Sequence, residues 1–78
     1  MNCNPHVIES EIGHNLYRAL VAKYTAEIVQ ARSTLMIYFT NPVGIGEHPQ
    51  HLEEMDKLVD VIATNQDKIE NLERHFCV

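Results

Sequence analysis

Histidines and cysteines are the side chains of this sequence best suited to chemistry, and four of them lie near its ends. Cys3 and His6 lie near the start of the chain, and His75 and Cys77 lie near its end. If the two ends meet, these two thiolates and two imidazoles suffice for a tetrahedral zinc site. The spacings Cys-x-x-His and His-x-Cys lack the paired cysteines of a zinc knuckle, so we expect no metal here. A disulfide between Cys3 and Cys77 is an alternative, and two ordinary thiols are the interpretation we favour.

A second group of candidate residues surrounds two glycines in the middle of the chain. Glu47, His48 and His51 could chelate a metal or supply a base, but no third ligand lies nearby, and we interpret them as the solvated start of a helix. Gly44 and Gly46 lack the longer glycine pattern and the preceding strand of a phosphate-binding loop. No serine or cysteine is placed as a nucleophile. We therefore expect no catalytic residues, no cofactor and no enzymatic activity.

Composition excludes several classes of partner. Among 78 residues, 6 are Lys or Arg and 11 are Asp or Glu, for a net charge of −5. The basic residues are scattered singly, which argues against direct binding of nucleic acid. The longest apolar run, Leu35 to Phe39, is far shorter than the roughly 18 residues of a membrane span. The first residues do not resemble a secretory signal, which favours the cytoplasm.

Prolines and glycines divide the chain into two helical segments. Residues 41–49 contain two of the three prolines and two of the three glycines. Pro42 disfavours helical geometry at the preceding residue and cannot donate a helical hydrogen bond, so the first helix should end near Thr40. Pro49 suits the first position of a second helix. We predict one domain, 1–78, with a helix over about 8–40, a turn over 41–48 and a helix over about 49–76.

The apolar residues predict how the two helices pack. The first helix, which starts after either Asn4 or Ser10, carries a broad apolar stripe at steps of three or four, and a broad stripe needs more than one neighbour. The second repeats apolar residues every seven positions, as a coiled-coil seam does. The predicted interface residues are Ile12, Leu16, Leu20, Tyr24, Ile28, Leu35, Met55, Leu58, Ile62, Asn65, Ile69 and Leu72.

These patterns indicate an all-α fold: an antiparallel, coiled-coil-like hairpin of two helices that dimerises into a four-helix bundle. A chain this short buries only about 60% of its unfolded surface, so a homodimer or higher oligomer, or another protein, should cover the remaining apolar stripe. Asn65 lies within the seam of the second helix. Its amide either fixes register and oligomeric state by pairing or lies wet at the edge of the interface.

The stretch that follows the first helix carries a resemblance. Asn41 to Val59 reads Asn-Pro-Val-Gly-Ile-Gly-Glu-His-Pro-Gln-His-Leu-Glu-Glu-Met-Asp-Lys-Leu-Val, and the second helix ends in Leu72-Glu73 and Phe76. From about residue 16 to 76 the chain resembles a group of small uncharacterised helical-hairpin proteins of large tailed bacteriophages. The resemblance implies a phage origin and a helical hairpin, and it brings no activity. If the turn is shared, its residues form a structural clasp or a partner-contacting tip: Gly44, Ile45, Gly46, Glu47, His48 and Pro49.

The sequence therefore leads to two functional hypotheses. The first is a small phage accessory protein, made in the cytoplasm of the infected cell, that self-associates and binds a host or phage protein. The second is a structural or assembly component of the virion. Neither requires a membrane or direct contact with nucleic acid. An enzyme or small-ligand binder built on Glu47, His48 and His51 is the third and least favoured hypothesis.

Overall fold

The protein is a two-helix hairpin closed at its chain ends by a very short sheet. The computed structural model describes residues 6–41 and 51–78, and the predicted turn residues 44–49 lie outside these ranges. The elements are β1 (His6–Val7), α1 (Glu11–Thr40), α2 (His51–His75) and β2 (Phe76–Cys77). The predicted all-α hairpin is confirmed. It is elongated, with principal extents of 52 × 19 × 18 Å.

The ends of α1 follow from local side-chain chemistry. Ser10, in an extended conformation, caps the helix, and its Oγ accepts a hydrogen bond from Gly13 N at 2.9 Å. The helix therefore begins after Ser10, not after Asn4. At the other end, Asn41 N donates to Ile37 O at 2.8 Å. The predicted end at Thr40 is confirmed, since proline at the next position but one cannot continue the helix.

Ring contacts show that the two helices run antiparallel. The ring of Tyr38, at the end of α1, lies edge-on to that of His51, at the start of α2, with centroids 5.8 Å apart. Farther along α2, the Nζ of Lys68 lies 5.3 Å from the ring centroid of Tyr24. A later residue of α2 thus contacts an earlier residue of α1, as in two antiparallel helices. Acidic residues open α2 and Arg74 and His75 close it, which complements the helix dipole.

The chain ends pair as a parallel two-stranded sheet that the sequence analysis missed. His6 pairs with Phe76 and Val7 with Cys77, and Ile8 N donates to Cys77 O at 2.7 Å. Because β2 continues α2, which runs opposite to α1, a parallel β1 must also run opposite to α1. The chain therefore reverses direction between β1 and the Ser10 cap.

This reversal brings Ile8 back over the first turn of α1. A Cβ built on Gly13 would lie 2.6 Å from Ile8 Cγ2 and 2.8 Å from Ser10 Oγ. A ring nitrogen of His14 also hydrogen-bonds the Ile8 carbonyl oxygen. Glycine at position 13 weakens the helix by roughly 1 kcal/mol relative to alanine, and the close approach of Ile8 explains its presence.

The contact between the helices is narrow. Among the described residues, the buried hydrophobic side chains are those of Ala31 and Leu35, at 3% and 8% exposure, and the one buried polar side chain is that of Asn65, at 3%. Ala31 and Asn65 line the same space between the helices, and Leu35 lies one turn nearer the end of α1. The centre of this protein therefore combines a small alanine with an amide, and the larger apolar side chains around them remain partly accessible.

Candidate interaction surfaces

A groove opens between the helices beside the buried centre, and we call it the Asn65 groove. Its volume is about 560 Å³. It combines hydroxyl, amide and carboxylate groups with a few apolar side chains. Its described lining residues are Glu27, Gln30, Ala31 and Thr34 from α1 and Leu58, Asp60, Val61, Thr64 and Asn65 from α2.

Asn65 forms the buried wall of this groove and is only half satisfied. Its Nδ2 donates to the carbonyl oxygen of Val61, one turn earlier, at 2.8 Å. Its Oδ1 is buried and has no hydrogen-bond partner within residues 6–41 and 51–78. A buried acceptor without a donor costs about 1–3 kcal/mol. Asn65 is therefore buried and not wet at an edge, and its pairing with a counterpart to fix register and oligomeric state stays a prediction.

The charges of the groove are also uncompensated. Within the described part of the chain, the only ion pair joins Lys57 Nζ to Glu54 Oε1, at 3.3 Å on the exposed side of α2. Glu27 and Asp60 make no hydrogen bond or ion pair there. Two carboxylates and a buried amide oxygen thus line a space to which the described residues contribute no cation, so the groove suits a positively charged hydrogen-bond donor.

An apolar recess lies nearer the chain ends, where the sheet meets the helices. Its volume is about 200 Å³, and nearly all of its surface is carbon. Its described lining residues are Ile8, Gly13, Leu16, Tyr17, Leu20, Leu72 and Phe76. Leu16, at 62% exposure, and Leu20, at 38%, leave the mouth of this recess open to solvent.

The outer side of α1 carries a third surface, which we call the Arg32 face. It comprises Val29, Arg32, Ser33 and Met36, which line a shallow depression. Val29 is 54% exposed and Met36 52%. Arg32 is exposed and makes no ion pair or hydrogen bond among the described residues. An uncompensated cation therefore lies between two accessible apolar side chains.

The predicted interface residues divide into two groups. Those of α2 and the later part of α1 lie between the helices and are buried or half-buried: Tyr24, Ile28, Leu35, Met55, Leu58, Ile62, Asn65, Ile69 and Leu72. Ile12, Leu16 and Leu20 are exposed instead, Ile12 at 74%. Successive steps of four residues rotate around a helix by about 40° each. Residues spaced four apart therefore do not all stay on the side of α1 that faces α2, and Ile12, Leu16 and Leu20 lie off that side.

Cys77 is not available as a thiolate ligand for the zinc site considered at the chain ends. Cys77 takes part in a disulfide bond, and the only other cysteine of the chain is Cys3, outside the described residues. The thiol interpretation that we favoured does not hold for Cys77. The ring of His6 lies edge-on to Phe76, with centroids 6.3 Å apart. Among the described residues, no three His, Cys, Asp or Glu side chains are grouped to hold a metal ion.

The histidines beside the turn can be followed only in part. Glu47 and His48 lie outside the described residues, whereas His51 packs against Tyr38 at the start of α2. His51 thus begins α2 as predicted, but its ring is half-buried in the contact between the helix ends and is not solvated as the sequence analysis expected.

Comparison of the chain with protein-family models, with curated proteins and with solved structures finds no match. Within the described ranges, neither helix combines the length and the apolar character needed to cross a membrane. The candidate interaction surfaces of the described residues are therefore the Asn65 groove, the apolar recess and the Arg32 face.

Proposed function

We propose that this chain is a small, non-enzymatic phage accessory protein that self-associates and binds a host or phage protein in the infected cell. The observation that carries the proposal is that few apolar side chains of the hairpin are buried, whereas several large ones are exposed. Among the described residues, only Ala31 and Leu35 are buried hydrophobic side chains, whereas Ile12, Phe39 and Leu52 are exposed at 74%, 71% and 80%. A hairpin of this kind gains stability when a further protein surface covers those side chains.

The phage assignment rests on the resemblance at residues 41–59 and on the hairpin fold that it implied. The distribution of charge supports protein as the partner. α2 carries seven acidic residues against three Lys or Arg, so its outer surface repels nucleic-acid phosphates. Self-association into a four-helix bundle is the simplest arrangement in which a second copy covers exposed apolar side chains of α1, and it leaves the apolar recess near the chain ends open to a partner.

The test of partner binding compares wild type with a variant of the exposed stripe. Each protein is used as bait in infected cells, and any captured protein is then purified and tested for direct binding. Leu16→Glu places a charge at the mouth of the apolar recess, and its matched control, Glu70→Gln, alters an exposed position of α2. We expect binding by wild type and by the control and loss of binding by Leu16→Glu. Capture of the bait alone, or equal binding by all three, argues against the proposal.

The disulfide of Cys77 favours a second candidate function, a structural or assembly component of the virion. Disulfides persist on particle surfaces and in other oxidising surroundings, and they are rare in the reducing cytoplasm. A hairpin with a disulfide at Cys77 is suited to such surroundings. Mass spectrometry of purified particles tests this candidate: the protein should be present at a fixed copy number, and its absence excludes the virion role and leaves the accessory role.

A further inference from the structure

Two surfaces of this hairpin carry unpaired groups of opposite charge: carboxylates in the Asn65 groove and a guanidinium on the Arg32 face. The Asn65 groove contains the carboxylates of Glu27 and Asp60, neither of them paired within the described residues, together with the buried Asn65 Oδ1, which has no donor there. The Arg32 face presents a guanidinium that is likewise without a partner in the described ranges, between the exposed side chains of Val29 and Met36.

We propose that the occupant of the Asn65 groove is the Arg32 face of a second copy of this chain. This proposal rests on the self-association proposed above and identifies the surfaces that meet. The guanidinium of Arg32 enters the groove between Glu27 and Asp60. It offers five donors in a planar fork that matches carboxylate geometry, and it supplies the positive charge and the donor that the buried wall at Asn65 lacks.

The apolar parts of the two surfaces also match. Val29 and Met36 lie one turn before and one turn after Arg32, so they approach the rims of the groove as the guanidinium enters it. Val61, 38% exposed, and the half-buried Leu58 line that groove. Contact between these side chains removes apolar surface from water on both copies, and burial of apolar area is the main favourable contribution to association.

The geometry makes this contact directional. At about 100° per residue, the groove residues of α1, among them Glu27 and Thr34, lie on nearly the opposite side of the helix from Val29 and Met36. One copy therefore uses its groove and the next uses its Arg32 face. Such a contact is heterologous, and it leaves a free groove at one end of each pair and a free Arg32 face at the other. Two stacked hairpins still form a four-helix arrangement, and further copies extend it or close it into a ring.

Two charge reversals test the proposal because each inactivates one surface only. Arg32→Glu removes the donor surface and keeps the groove, whereas Asp60→Lys places a cation in the groove and keeps the donor surface. Both positions are exposed, so the hairpin should fold in each variant, which circular dichroism confirms. The matched controls are Arg74→Glu and Glu70→Lys, which make the same charge changes on the outer side of α2.

Sedimentation velocity of the oxidised, full-length proteins gives the result. We expect wild type and both controls to assemble, and each test variant alone to weaken assembly at least tenfold. We expect an equimolar mixture of Arg32→Glu and Asp60→Lys to form a heterodimer that grows no further, since the mixture contains one intact groove and one intact Arg32 face per pair.

The outcomes separate this inference from the function on which it rests. If wild type is monomeric throughout, both self-association and this contact are wrong. If wild type assembles but the two variants assemble equally well, or their mixture remains monomeric, self-association stands and this contact is wrong. Assembly lost equally in the controls also contradicts it, because net charge rather than the two surfaces would then control association.

Discussion

The side-chain amide of Asn65 donates to the carbonyl oxygen of Val61 at 2.8 Å and leaves its own Oδ1 buried with no partner among the described residues. The more stable choice for a contact between two helices is an apolar residue at this position. An amide that destabilises the isolated hairpin is understandable if Asn65 serves association, since buried polar groups often specify register and partner rather than add stability.

Replacing Asn65 with leucine should stabilise the hairpin. The substitution removes an unsatisfied buried acceptor, and we expect a gain of about 1–3 kcal/mol in the free energy of unfolding, measured by urea denaturation at a concentration where the protein is monomeric. Asn71→Leu is the matched control. Asn71 makes the same bond to the carbonyl oxygen one turn earlier, at 2.8 Å, but its Oδ1 accepts from Arg74, so no comparable gain is expected. Equal effects at both positions contradict this account of Asn65.

Gly13→Ala should destabilise the protein, although alanine is the better helix former. The new Cβ would meet Ile8 and the Ser10 Oγ, so the Ser10 cap is displaced, and loss of a cap costs about 1 kcal/mol. Thermal unfolding provides the measurement. Ala26→Gly, at an exposed position of α1, is the control and should cost roughly 1 kcal/mol from helix propensity alone. A Gly13→Ala protein more stable than wild type shows that Ile8 does not fold back over the helix.

Breaking the disulfide at Cys77 should lower the unfolding temperature of the protein but leave the two helices packed against each other. A cross-link between distant residues restricts the unfolded chain, and removing one costs about 2–5 kcal/mol. We expect Cys77→Ser to unfold at a lower temperature than oxidised wild type. Dithiothreitol should lower the transition of wild type to that of the variant and leave the variant unchanged. A wild-type transition insensitive to the reductant contradicts the structure at the chain ends.

Lys68 and Tyr24 should be energetically coupled across the helices. The Nζ of Lys68 lies 5.3 Å from the ring centroid of Tyr24, and an exposed cation over an aromatic ring contributes about 0.5–1 kcal/mol. A double-mutant cycle with Lys68→Gln and Tyr24→Leu measures the coupling. The surface ion pair of Lys57 and Glu54 serves for comparison and should show a smaller coupling that salt abolishes. Zero coupling between Lys68 and Tyr24 places the two helices in a different register.

Much of the hairpin was predictable because its signals are local and periodic. Pro42 determines the end of α1, Ser10 is a strong cap, and the seven-residue spacing of α2 identifies the side that meets α1. The short sheet was missed because two-residue strands have no period, and their pairing depends on chain ends that are distant in sequence. The exposure of Ile12 could have been anticipated by following helical rotation rather than counting steps of four.

The candidate surfaces could be predicted from the sequence less well than the fold. Asn65 was identified from its place in the seam, but the groove is lined by residues of both helices, among them Ala31 of α1 and Asn65 of α2, so it depends on how the two helices pack. Arg32 could not be predicted as a site residue, because an isolated arginine on a helix is common. Its significance comes from the exposed Val29 and Met36 beside it and from the absence of any partner for it within the described residues.

Self-association is the central claim, and the solution mass of the wild-type protein tests it most directly. Light scattering should be recorded over about a hundredfold range of protein concentration, with helicity measured in the same samples. We expect a strongly helical species of at least twice the 8.9 kDa of one chain, with a mass that falls toward that of one chain on dilution. A fully helical monomer at every concentration contradicts the claim, because the exposed apolar side chains would then be stable in water without a second copy.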